Sequence, residues 1–234
     1  DAEKAVNAYN TLKDNGMKVF IGTVTTGACL SVISQTKADN MFQITPSASA
    51  AKVIANDNCF QVCFTDPNQG TASADYIASK GLATKVAVIY NSSDAYSSGI
   101  YDNFKAEAAA KGLDLVASEA FTGDSKQDFS SQLSKIKASG AELIFLPIYY
   151  QEASLILSQA KNAGITAKFF GCDGLDGLRN IENCDKSLAE NVMLLTPFAA
   201  NATDETTKKF VAAYNAKYDP STLNQFAADA YDAV

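Results

Sequence analysis

The hydroxyls best spaced for binding chemistry lie in the stretch Ile44-Thr45-Pro46-Ser47-Ala48-Ser49-Ala50. It follows an apolar run at Met41, Phe42 and Ile44 that reads as a buried strand, and it leads into residues 51–55, which have helical composition. Pro46 suits the approach to a first helical turn, where its missing N–H costs nothing, and Ser47 and Ser49 can each cap that turn or present a hydroxyl outward. A helix N-terminus with free N–H groups and two hydroxyls would receive a small anion such as a carboxylate. Ordinary N-capping is the plain alternative.

Acid chemistry would come from Asp173-Gly174-Leu175-Asp176. Two carboxylates in one loop can act as general acid and base, but such residues are also common solvated turn formers. Tyr96, Tyr149 and Tyr150 offer amphipathic rings that could either line a ligand or close the ends of a sheet. The chain has no histidine, which removes the commonest general base, the Ser-His and Cys-His nucleophile pairs and most transition-metal sites. No GxGxxG or GxxxxGK[ST] phosphate loop is present, so neither cofactor nor metal is expected.

Nineteen basic against 26 acidic residues give a formal charge of -7 without a basic cluster, which argues against a nucleic-acid partner. With 47% hydrophobic residues in 234, the chain can form one large packed domain or two small lobes. No apolar run reaches the length of a membrane span, and nothing at the start reads as a signal peptide, although a chain opening on Asp1 is compatible with removal of one. Of the five cysteines, Cys59 and Cys63 would share a face of a strand about 13 Å apart, too far to pair. Cys172 and Cys184 flank a loop and could form a disulfide, a question that spacing leaves open.

The elements that must position these groups alternate. Helical periodicity is expected over residues 2–15, 28–37, 71–79, 99–111, 128–138, 152–163, 204–217 and 223–234. Strands are expected at 19–21, 41–44, 59–64, 86–90, 113–117, 142–146, 168–171 and 192–195. Short apolar strands alternating with helices of about three turns indicate an α/β chain with doubly wound parallel sheets. Ligands of such sheets bind beyond the carboxyl ends of the strands. That rule brings forward Thr25-Thr26-Gly27, Ser47-Ala48-Ser49, residues 91–96, Tyr149-Tyr150-Gln151-Glu152 and Asp173-Gly174-Leu175-Asp176, which together would suit a zwitterion.

The order of these features resembles the substrate-binding proteins of ABC transporters in the leucine/isoleucine/valine-binding family, with a type I periplasmic-binding fold. The resemblance rests on Phe20-Ile21-Gly22 with Thr25-Thr26, on 44–50, on Phe64-Thr65-Asp66 with Gln69-Gly70, on 86–90 with Tyr96, on 146–152 and on Gly171-Cys172-Asp173-Gly174. It implies two α/β lobes around a cleft that closes by hinge motion. The N-terminal lobe would comprise residues 1–65 and 197–234, and the second lobe 66–196. Thr26 and the segment Ser47, Ala48 and Ser49 would hold an amino-acid carboxylate. Asp173, aided by a backbone carbonyl near Ser47, would hold the ammonium, and Tyr96, Tyr149 and Tyr150 would close over the ligand from the second lobe.

The resemblance further implies an extracytoplasmic, monomeric, non-enzymatic protein, periplasmic or a cell-surface lipoprotein, that passes an amino acid, branched-chain or otherwise aliphatic, to a membrane permease. Ser49 stands where described family members have threonine, which keeps the hydroxyl. Members also begin with a strand-helix-strand unit before the helix that opens this chain and continue beyond Val234, so an incomplete N-terminal lobe is expected. Two other readings stand beside this one: a ligand-sensing domain of a receptor or regulator, and an enzyme using Asp173 and Asp176.

Overall fold

The alternation resolves into two separate parallel sheets. The computed structural model describes residues 1–181 and 185–234. The first sheet has the order β1-β2-β3, with β1 (Val19–Ile21), β2 (Phe42–Thr45) and β3 (Cys59–Gln61). The second has the order β5-β4-β6-β7-β8, with β4 (Lys85–Asn91), β5 (Asp114–Phe121), β6 (Leu143–Leu146), β7 (Lys168–Gly171) and β8 (Val192–Leu194). Every ladder among the described residues is parallel.

Among the described residues eight helices precede, separate and follow the strands: α1 (Ala2–Asp14), α2 (Thr26–Ala38), α3 (Asp66–Ser79), α4 (Ala95–Ala110), α5 (Ser130–Ser139), α6 (Tyr150–Asn162), α7 (Glu205–Asn215) and α8 (Gln225–Asp232). In the second sheet all four residues of β6 and residues 86–89 of β4 are buried, as a parallel sheet covered on both faces requires. One face packs on Phe129, Leu133, Ile136 and Ile156. The other packs on Ile77, Ile100 and Phe104, whose ring stacks on Phe145 at 4.1 Å. Strand order reverses between β4 and β6, which opens the crevice at their carboxyl ends where α4 and α6 begin.

The first sheet is thinner. Tyr9, Phe20, Val32 and Met41 fill one face, whereas Val19, Ile21, Phe42 and Phe60 on the other are all exposed. After β3 the chain runs beside residues 45–49, with Val62 N donating to Thr45 O, Cys63 N to Pro46 O and Asp66 N to Ser49 O at 3.0, 3.2 and 2.9 Å. It then enters α3, which lies so close to α4 that a Cβ on Gly70 would fall 2.5 Å from Ile100 O.

Several boundaries differ from expectation. The segment after Ser49 is a 3-10 turn at Ala51–Ile54 instead of a helix, because the N–H groups of Ser49 and Ala50 bond to the Thr26 side chain. Residues 59–64 are strand only as far as Gln61, since the next residues turn to pair with the 45–49 segment. α3 begins at Asp66 and not at 71, with Pro67 in its first turn, a position that tolerates proline. α4 begins at Ala95 under the Asp94 cap, and Tyr150 opens α6, so Tyr96, Tyr149 and Tyr150 belong to helix starts and not to loops. Strand β5 extends to Phe121 beside the full length of β4. Cys29, Cys59, Cys63 and Cys172 are buried; the Cys172–Cys184 pairing falls on Cys184, which lies outside the described residues.

Candidate functional site

A cavity of about 200 Å³ lies between the carboxyl ends of the two sheets, lined by Ser47, Tyr96, Tyr149, Tyr150 and Asp173 together with Val24, Thr25, Gly174 and Phe226. Five of the eight residues singled out from sequence therefore share one space. Ser47 reaches it from the segment after β2, Tyr96 from the first turn of α4, Tyr149 and Tyr150 from the start of α6, and Asp173 from a 3-10 turn after β7. Tyr96 and Tyr149 stack at 4.7 Å and form one wall.

Asp173 is the charged member of the lining, and only 2% of it is exposed. Tyr96 donates its hydroxyl to Asp173 Oδ1 at 2.6 Å, and Gly174 N donates to the same hydroxyl at 2.9 Å. A Cβ on Gly174 would fall 2.6 Å from that hydroxyl, so the close approach requires glycine. Asp173 N donates to Gln69 Oε1 at 3.2 Å. Burial raises the carboxyl above the usual range, against the opposing pull of Tyr96 and of the Gln69 and Gln225 amides.

Thr26, Ala48 and Ser49 stand behind the cavity instead of lining it, and all three are buried. Thr26 Oγ1 accepts from Ser49 N at 3.1 Å and Ala50 N at 3.3 Å, while Ala48 N donates to Thr45 Oγ1 at 3.0 Å. These bonds use the N–H groups that a helix N-terminus at Ser47 to Ser49 would have left free. The end that does face the cavity is that of α2, where Thr25 occupies the N-cap position without a side-chain capping bond. With two bonds accepted, the Thr26 hydroxyl keeps its own proton for donation. Among the described residues, the buried Ser49 hydroxyl has no partner.

Asp173 is one of several carboxylates held around this space. Asp66 is 1% exposed with neither oxygen within hydrogen-bond geometry of a donor. Burial raises it to about 7, with the charges of Asp173 and Asp94 adding to the effect and the neighbouring Ser49 hydroxyl, too poorly placed to count as a hydrogen bond, opposing it. Burial also raises Asp94, Asp176 and Asp229, the last to about 6. No ion pair among the described residues includes any of the five. Asp176 does not join Asp173 in the cavity; its Oδ2 accepts from Gln225 N at the start of α8 at 2.7 Å. The supposed acid and base thus have separate tasks. Phe226 and Asp229, about fifty residues further along the chain, were missed; the available signal was a carboxylate three positions from Phe226, on the same side of a short amphipathic helix.

Two parallel α/β sheets that meet over one cavity at their carboxyl ends have the architecture of a small-molecule binding protein. The family model described as Periplasmic binding protein matches residues 1–234, and the chain belongs to that family. The leucine-, isoleucine-, valine-, threonine- and alanine-binding protein of Pseudomonas aeruginosa is 28% identical over 237 residues, covering 100% of this chain and 62% of the relative. Leu/Ile/Val-binding protein homolog 3 of Brucella melitensis is 32% identical over 177 residues, 75% of this chain and 48% of the relative.

Among solved structures, the leucine-binding protein LivK of Thermotoga maritima superposes with a TM-score of 0.89 at 27% identity, covering 100% of this chain and 66% of that one. The branched-chain amino acid transporter substrate-binding protein LivJ of Streptococcus pneumoniae, in complex with isoleucine, gives 0.87 at 28% identity, covering 99% and 66%. The fold is that of the type I periplasmic binding proteins. The chain spans about half to two thirds of the length of these relatives.

Proposed function

We propose that this chain is the ligand-binding part of an extracytoplasmic ABC-importer protein that carries a free α-amino acid, branched-chain or otherwise aliphatic, to a membrane permease. One observation carries the reading: Asp173 is buried, has no cationic partner among the described residues and opens into a small tyrosine-walled cavity. A carboxylate so placed is costly unless a cation joins it. The ligand's ammonium supplies that cation. The ligand's carboxylate lies toward the start of α2, where the helix N-terminus faces the cavity and the Thr26 proton and the Ser49 hydroxyl stand directly behind it.

Val24, Phe226 and the tyrosine rings supply an apolar surround for an aliphatic side chain. The relatives named for leucine, isoleucine and valine support the same choice. Charge-assisted hydrogen bonds contribute roughly 1.5–3 kcal/mol each, so several of them with apolar burial reach about 8 kcal/mol, which is micromolar affinity. In this reading residues 1–65 and 197–234 form one lobe and 66–196 the other. The lobes close on the ligand, the protein acts as a monomer, and the bound molecule leaves unchanged.

Calorimetric titration with the twenty amino acids tests this. Binding by wild type, lost in Asp173→Ala and weakened in Ser49→Ala, is expected. Equal binding by all three proteins would place the site elsewhere.

A further inference from the structure

Ser47 lines the cavity, yet its proton is committed outside it. Its Oγ donates to Asp229 Oδ2 on α8 at 2.9 Å, and the two residues are 5% and 6% exposed. A serine hydroxyl has one proton to give and two lone pairs to offer. With the proton directed to Asp229, Ser47 is an acceptor toward the cavity. The Asp173 carboxylate is a second acceptor in the same space of about 200 Å³, and among the described residues no lining side chain carries positive charge. Two acceptors facing one small volume suit a group with several donors, and a primary ammonium has three.

We propose that Asp229 is a specificity-determining positioning residue: by taking the Ser47 proton it fixes Ser47 Oγ as an acceptor, which with Asp173 seats the ligand's primary ammonium. The proposal rests on the amino-acid reading above and narrows it to primary α-amino acids over N-alkylated ones. Asp229 itself does not line the cavity and acts through Ser47. This changes the part played by Ser47, from carboxylate donor to ammonium acceptor. The ligand's carboxylate is then left to the start of α2, Thr26 and Ser49.

The arrangement also has a pH dependence. Burial raises Asp229 to about 6, the Ser47 hydroxyl opposes the rise, and the charges of Asp173, Asp232 and Asp176 add to it. Cys63, also near Asp229, is held at about 12 by burial and stays a neutral thiol. Above the Asp229 value the carboxylate accepts from Ser47. Below it Asp229 carries a proton of its own to donate, and the Ser47 proton can turn into the cavity against the ammonium.

The test is calorimetric titration of wild type, Asp173→Ala, Ser47→Ala, Asp229→Ala and Asp229→Leu, the last two of which leave no side-chain acceptor for the Ser47 proton. The probes are L-leucine, or whichever of the twenty amino acids binds best, and its N-methyl derivative, at pH 7.5 and pH 5. Wild type should prefer the primary amine by about tenfold, the effect of one hydrogen bond to a charged group. Ser47→Ala and both Asp229 variants should bind the primary amine about tenfold more weakly and lose the preference. Wild-type preference should also shrink at pH 5 while that of Ser47→Ala does not change. Folded Asp229 variants that retain wild-type affinity and preference overturn the proposal while leaving the amino-acid reading intact, provided Asp173→Ala has lost binding. Should the Asp229 variants fail to fold, Ser47→Ala decides alone: an unchanged preference refutes the acceptor role. A wild-type protein that binds no amino acid refutes both readings.

Discussion

Tyr96 holds Asp173 through a 2.6 Å hydrogen bond between residues 77 positions apart, and the same hydroxyl accepts the N–H of Gly174. The tyrosine therefore organises both the charge of the site and the backbone that carries it. Tyr96→Phe removes a donor from a buried carboxylate and leaves the Gly174 N–H without that acceptor, a cost of about 1–3 kcal/mol in stability. Asp173, already raised by burial, should rise further, so amino-acid affinity should fall and its acid limb should move to higher pH. Urea unfolding and titration across pH measure the two effects; an unchanged pH profile would show that the hydroxyl does not tune the carboxylate.

Gly174→Ala examines the same contact from the other side. The added Cβ would meet the Tyr96 hydroxyl at 2.6 Å and Ile148 O at 2.7 Å, and the second is backbone that cannot step aside. Overpacking of this kind costs typically 1–3 kcal/mol. Ligand affinity should fall together with thermal stability, and a variant that binds and melts like wild type would show the approach to be looser than described.

Thr26→Val deletes the acceptor for two buried N–H groups, those of Ser49 and Ala50, at nearly constant side-chain volume. Each unsatisfied group costs about 1–3 kcal/mol. Thr26→Ser keeps the oxygen and should recover most of the loss in denaturant unfolding. If the serine variant is as unstable as the valine variant, the missing methyl rather than the hydrogen bonds accounts for the defect.

Buried carboxyls set the pH dependence of stability. A carboxyl whose folded-state pKa lies above its unfolded value takes up protons on folding, so the folded state is favoured at acid pH and that advantage is lost as pH rises through the folded value. Asp66 at about 7 and Asp229 at about 6 both act in this sense. Acids with lowered values, such as Asp39 and Asp204, act in the opposite sense at pH below the usual carboxylate range. The unliganded chain should melt at a lower temperature at pH 8 than at pH 5, with Asp66→Asn removing much of the difference. A melting temperature that climbs between pH 5 and 8 would contradict the burial of these groups.

Much of the fold was legible because parallel strands buried on both faces must be short apolar runs, and residues 86–89 and 143–146 are such runs. The positions of Tyr96, Tyr149 and Asp173 followed from the rule that ligands lie beyond strand carboxyl ends. Helix starts were harder to read. Asp66-Pro67-Asn68-Gln69-Gly70 has the composition of a turn, yet it forms the first turn of α3, because proline is tolerated there and Gly70 is needed for contact with α4. The stretch at Ser47 to Ser49 looked like a helix start because the competitor for its N–H groups, Thr26, lies more than twenty residues earlier. The Ser47–Asp229 bond spans 182 positions, and no local pattern marks it.

The gathering of Asp66, Asp94, Asp173, Asp176 and Asp229 without an ion-paired cation among the described residues has a kinetic consequence. Fixed charge of one sign acts before contact, and a low-dielectric cleft focuses its field outward. A zwitterion has no net charge to be pulled in, but it has a dipole to be turned. On the amino-acid reading proposed above it would enter ammonium first, already oriented for Asp173, and added salt would slow its capture more than its release.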